Sequence, residues 1–161
     1  MLVMTAKVDK KKILIAIGAL ILAIGTLMGV IGGKAPEDTP TAATAAPTAG
    51  SNDDRVKFLT DFGWDVTASP AESMQVRIPS QPSEVYDRYN ELQKSQGYDL
   101  TKYAGKTVMR YVYLLNNYPG ATEPVYATVL VYKDQIIGGD VTNSGPNGTV
   151  QGFARPAPQG D

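Results

Sequence analysis

The triplet Gly138-Gly139-Asp140 is the place in this chain best suited to chemistry. Two adjacent glycines let a ligand come close to the backbone, and Asp140 could act as a base or as an oxygen ligand to a cation. The plainer expectation for glycines inside a strand is a β-bulge. A second feature is a concentration of phenols, because all nine tyrosines lie between Tyr86 and Tyr132. Tyrosine joins apolar area to a hydroxyl and is favoured at binding surfaces. Tyr126 and Tyr132, placed on the outer face of their strand, could therefore stack on sugars or on a partner. The competing expectation is half-buried rings with wet hydroxyls. A third group, Glu84, Asp87, Arg88, Glu91 and Lys94, carries mixed charge at helical spacing. It reads as a solvated helix surface rather than a catalytic pair.

What is missing narrows the chemistry further. The 161 residues contain no histidine and no cysteine. Zinc sites of Cys/His type, haem held by His or Cys, iron–sulfur clusters, disulfides and thiol catalysis lose their ligands or nucleophile. Ser-His-Asp and Cys-His arrangements go with them. No Ser-x-x-Lys, phosphate loop or dinucleotide fingerprint occurs, and the acids lack calcium-loop spacing. The sequence designates no catalytic, cofactor-binding or metal-ligating residue. An enzyme built on it would be a hydrolase or transferase working with carboxylates alone.

The elements that hold these residues fall into unlike parts. Residues 13–33, ILIAIGALILAIGTLMGVIGG, form a 21-residue run without charge. As a helix it is roughly 31 Å long, the thickness of a bilayer's hydrocarbon core. Lys7, Lys10, Lys11 and Lys12 precede it, and Glu37 and Asp38 follow Lys34. The charge asymmetry places residues 1–12 in the cytoplasm and the rest outside the cell membrane, as a single-pass protein. The run is too long for a cleaved signal peptide and lacks Ala-x-Ala at its end. Gly25, Gly29 and Gly33 recur on one helical face, a pattern through which a homodimer could form in the membrane. Residues 34–52 form an Ala/Thr/Pro tether that cannot bury enough surface to order itself, so disorder is expected. Residues 1–34 sum to 5 − 1 = +4 and the remainder to 10 − 15 = −5. The acidic remainder argues against nucleic acid as a partner.

Residues 53–141 read as one small α+β domain. Asn52 or Asp53 caps a first helix carrying Val56, Leu59 and Phe62, with Gly63 as its stop. Trp64 to Thr67 is extended, and Met74, Val76 and Ile78 alternate in a strand ended by Pro79. Ser83 caps the main helix, whose face carries Val85, Tyr89 and Leu92, widened by Tyr86, and which ends at Gly97. Strands follow at 106–115, 125–132 and 135–141, with a tight hairpin at Lys133-Asp134. The expected fold is two helices packed on one face of an antiparallel sheet of three to five strands, with Met109, Tyr111, Tyr113, Ala127, Val129 and Val131 toward the main helix. Residues 142–161 form a Gly/Pro-rich flexible tail in which Phe153 alone could dock back.

The run VYDRYNELQKSQGYDLTKYAGKTVMRYVY, then NNYPG, then LVYKDQIIGGDV, resembles an uncharacterised bacterial family, domain of unknown function 4830, found mainly in Firmicutes. Its marks here are Tyr89 to Gln93, Gln96 to Leu100, Tyr103 to Lys106, Asn117 to Gly120 and Gly138 to Val141, and the likeness runs from about Arg55 to Phe153. The resemblance implies a small module behind an N-terminal membrane anchor and no particular activity. Relatives tend to carry a cysteine after Gly-Gly-Asp-Val and a histidine near the end. This chain has Thr142-Asn143-Ser144 and Gln151-Gly152-Phe153-Ala154 there, so any chemistry resting on those residues is lost. The functional expectation is a non-catalytic extracytoplasmic module that meets an envelope protein or glycan near the bilayer, with the carboxylate-based enzyme as the alternative.

Overall fold

The computed structural model describes residues 47–146 and 148–156. The expected cytoplasmic segment 1–12, the 13–33 run with Gly25, Gly29 and Gly33, and the first part of the 34–52 tether lie outside the described residues. Among the described residues no helix is long and apolar enough to cross a membrane.

Helix α1 is Asn52–Asp61, and helix α2 is Glu84–Ser95. The strands are β1 Glu72–Arg77, β2 Thr107–Leu115, β3 Val125–Tyr132, β4 Gln135–Asn143 and β5 Val150–Gln151. A short 3₁₀ helix, Leu100–Tyr103, joins α2 to β2. The five strands form one sheet in the order β1-β2-β3-β4-β5, a pure antiparallel meander. Local connections account for the order from β2 to β5, whereas β1 reaches β2 through α2 and the 3₁₀ helix. Lys133 and Asp134 both take positive φ, 47° and 62°, which gives the hairpin a twist matching its strands. The strands at 125–132 and 135–141 fall where the sequence puts them, and β4 runs two residues further.

The helices do not share a face, and this corrects the sequence-based expectation. Phe58 and Leu59 of α1 join Trp64, Tyr113, Leu115, Ala127, Val129, Val131 and Phe153 in one core cluster, with Met109 and Tyr111 against it. Tyr86 and Tyr89 of α2 join Val76, Ile78, Leu100, Val108, Leu130 and Ile137 in a second. The residues expected to face the main helix therefore face α1, and α2 covers the opposite side. Val125 to Val131 are all buried, so β3 is the central strand of a sheet covered by a helix on each face. A strand buried on both faces has lost the alternation that assigns its sides.

Helix α2 is also turned from its expected orientation. Its buried residues are Tyr86, Tyr89, Asn90 and Gln93, whereas Val85 is 54% exposed. Two of these polar side chains find partners on β4, Tyr89 at Asp140 and Gln93 at the Gly139 amide, while Asn90 bonds to Asp99 and to the Leu100 amide. Ser83 caps α2 as expected, and Gly97 follows its end at φ 88°. For α1 the cap is Ser51, in a capping box with Asp54, rather than Asn52 or Asp53.

Order extends beyond 53–141 at both ends. Thr48 bridges to Gln135, the Ala49 amide donates to the Asp134 carbonyl, and Ala49 is fully buried. The tether thus joins the domain from Pro47. At the other end β5 pairs with Val141 and Thr142, and Phe153 is fully buried beneath Phe58. The tail is therefore an edge strand and an aromatic anchor as far as Phe153, not a frayed end. The stretch at Trp64 to Thr67 makes only a single bridge, Val66 to Leu115.

Candidate functional site

The polar groups of the domain gather between α2 and the sheet. Glu72, Val112, Thr128 and Asp140 stand opposite one another across β1 to β4 and so project from one face at one level. Arg110, one row along on the same face, is 3% exposed and reaches Glu72 Oε1 at 3.3 Å. A buried ion pair of this kind gains Coulomb energy but costs desolvation, so its presence alone is weak evidence of added stability.

Asp140 is buried on β4. The Tyr89 hydroxyl donates to its Oδ1 at 2.8 Å, and the Thr142 hydroxyl donates to its Oδ2 at 2.6 Å. Burial pushes the Asp140 carboxyl above its ordinary value, opposed by these two hydrogen bonds and the charge of Arg110. Burial, then the adjacent carboxylate, pushes the Tyr89 phenol well above its own. The Tyr89–Asp140 hydrogen bond joins α2 to β4.

Gly138 and Gly139 do admit a close approach, but the approaching groups are the protein's own. Gln93 Oε1 accepts from the Gly139 amide at 2.8 Å, and Gln96 Nε2 donates to the Gly139 carbonyl at 3.1 Å. Gln96 Oε1 then accepts from the Phe153 amide at 2.7 Å. The Gln96 amide thus bridges β4 to the chain just beyond β5. A Cβ at Gly139 would stand 2.1 Å from the Thr128 carbonyl oxygen and 2.5 Å from Phe153 Cζ. The bulge expected at the glycines is present. Leu130 pairs with Gly138 while Val131 pairs with Ile136, leaving Ile137 as the extra residue.

The tyrosines lie deeper than expected. Tyr126, assigned to the outer face, is 8% exposed. Tyr132 is half-buried and packs edge-on against Tyr103, with their centroids 5.5 Å apart. The reason is again that β3 is covered on both sides. The charges on α2 do lie on the solvated surface, where Arg88 pairs with Glu84 and Lys94 with Glu91.

Glu72 and Asp140 are the carboxylates of this face, on β1 and β4 with β2 and β3 between them. Among the described residues no three His, Cys, Asp or Glu side chains gather to hold a metal ion. Glu72 Oε2, Tyr86 Oη and Gln93 Nε2 are buried without a partner. They sit on β1 and on the first and last turns of α2. Sequence reasoning missed Gln93 and Gln96. The available signal was a glutamine four residues after Tyr89, on the helix face that Tyr86 and Tyr89 define.

The family model described as "Domain of unknown function (DUF4830)" matches residues 58–141, or 84 of the 161 residues. No curated protein and no solved structure matches the chain.

Proposed function

This chain belongs to the DUF4830 family, and from that premise we propose that it is a single-pass, membrane-anchored extracytoplasmic module that binds rather than catalyses. The observation that carries the anchor is the uncharged 21-residue run at 13–33, preceded by four lysines and followed by acids. Binding over catalysis is supported by how the reactive side chains are used. Asp140 is engaged by Tyr89 and Thr142, Arg110 by Glu72, and Gly139 by two glutamines. The remaining surface is that of a small rigid head on a tether, a design that favours weak, local contacts with envelope proteins or glycans.

The absence of native cysteine makes topology directly measurable. A single thiol introduced at the exposed Ser95 should react with a membrane-impermeant maleimide in intact cells, and one at Thr5 only after permeabilisation. Protection of the Ser95→Cys thiol in intact cells would overturn the reading. For binding, the full chain in its native membrane should crosslink reproducibly from photoreactive residues at exposed head positions to a discrete envelope component. Crosslinks no different from those of an anchored unrelated domain would count against it.

A further inference from the structure

One end of the sheet collects four of the five exposed cations that make no ion pair among the described residues, Arg155 being the fifth. Arg77 ends β1 and pairs with Thr107 at the start of β2, while Met109 pairs with Val131 and Tyr132 with Gln135. The end of β1, the start of β2 and the β3–β4 hairpin are thus neighbours. The 3₁₀ helix joins them, because the Lys106 backbone amide donates to the Tyr103 carbonyl, Arg77 Nε donates to the Gly105 carbonyl, and Tyr103 packs on Tyr132. Lys133 Nζ lies 5.6 Å from the Tyr132 ring centroid. Arg77, Lys102, Lys106 and Lys133 are all exposed.

Ten Lys and Arg fall within residues 47–156. Lys57, Arg88, Lys94 and Arg110 are in ion pairs, which leaves six among the described residues. Arg55 is buried against Tyr113 and Tyr111, and Arg155 lies over Trp64. The other four are the cluster at this end, with Asp134 the acid in the same turn. The twelve acids in the same span give a net charge of 10 − 12 = −2, so a basic end stands out on an acidic body.

The chain enters the domain at this same end. Pro47 accepts from the Ile136 amide, and Thr48 bridges to Gln135 beside the hairpin. We infer that this basic, tyrosine-flanked end is a docking surface for the anionic headgroups of the bilayer that holds the anchor. The inference rests on the anchor reading. Thirteen residues, 34–46, separate the 13–33 run from Pro47, roughly 20 Å as a flexible coil and about 45 Å fully extended. A tether this short attached at the basic end turns that end toward the membrane. Screening limits the attraction to about 8–10 Å from the surface. Within that range each cation strengthens attachment about fivefold, while the acidic remainder is repelled. The tyrosines fit the same place, since their rings favour the headgroup level. Docking would fix which face of the head is presented outward.

The test uses the full chain with Ala104→Cys as its single thiol, carrying a donor dye. The protein is reconstituted into vesicles of phosphatidylcholine, with or without phosphatidylglycerol, that contain a headgroup acceptor. Energy transfer should be higher in the phosphatidylglycerol vesicles, and high salt should remove the excess. Lys102→Gln/Lys106→Gln/Lys133→Gln should remove it as well, and Lys102→Glu/Lys106→Glu should lower transfer further. These lysines are exposed and make no ion pair among the described residues, and circular dichroism of each variant checks the fold. Equal transfer in the two membranes, or an excess unchanged in the variants, overturns the docking surface. Loss of the excess to soluble poly(glycerol phosphate), but not to simple salt of equal ionic strength, assigns the surface to an anionic polymer and overturns the bilayer assignment. Failure to float with vesicles after alkaline extraction overturns the anchor reading and this inference with it.

Discussion

At Asp140 burial and hydrogen bonding oppose each other, and burial wins. Its folded-state pKa lies above the unfolded value of about 3.9, so the folded protein binds the proton more readily. The sign of the linkage follows. The favourable contribution of the protonated carboxyl is full below about pH 4 and is lost as pH rises through the raised folded value. Asp140→Asn removes this titration. The stability of the natural protein relative to Asp140→Asn should therefore fall as pH rises from about 4, read from urea midpoints across the range. A flat or rising difference would show that the carboxylate, not the acid, is the favoured form. At this scale the sequence told part of the story. Gly138-Gly139-Asp140 stood out by residue type, but the partners that occupy it come from a helix some forty residues earlier, and spacing along the chain cannot reveal them.

Helix α2 is held to the sheet largely by amides and phenols, which makes it unlike α1. Tyr86, Tyr89, Asn90 and Gln93 are its buried residues, and Gln93 and Gln96 close the Gly139 edge of β4. An exposed strand edge invites pairing with another chain, and these two side chains cover the part that β5 leaves open. Gln93→Leu keeps the bulk but leaves the Gly139 amide buried without a partner, a loss of about 1–3 kcal/mol. Hydrogen exchange at the Gly139 amide should speed up in that variant more than at Val129 on the neighbouring strand. Unchanged exchange at Gly139 would mean that another group holds it. Element positions were legible because their signals are local, as with Ser83 before α2, Gly97 after it and Lys133-Asp134 in the hairpin. The side each helix covers was not. Met109, Tyr111 and Tyr113 do share a face, but Val108 and Val112 on the other face are equally apolar and equally in need of cover.

Seen whole, the module is a three-layer sandwich fastened by phenols instead of disulfides. The fold needs more chain than the family match at 58–141, because Ala49 and Phe153 both belong to the core around α1. Burial raises the pKa of Tyr86, Tyr89, Tyr98, Tyr103 and Tyr113, and nearby acids or a neighbouring phenol add to the effect in several. A phenol with a raised folded pKa stays neutral in the folded protein at a pH where the unfolded chain is already ionised. Its contribution is complete below about pH 10 and is lost as pH rises beyond that value. Tyr89, buried against Asp140, lowers stability by up to about 1.4 kcal/mol per pH unit in that window, whereas the Arg55 guanidinium that donates to the Tyr113 hydroxyl opposes the effect there. Tyr89 weighs most, since its ionised form would face the Asp140 carboxyl across a 2.8 Å hydrogen bond. Alkaline titration should therefore give a single cooperative step above pH 10, with tyrosinate absorbance rising as far-ultraviolet circular dichroism is lost. Tyr89→Phe should weaken the pH dependence of that step while lowering stability at neutral pH, because the hydrogen bond to Asp140 is gone. A gradual titration of all nine phenols with the dichroism intact would show that the rings are not the fastening of this domain.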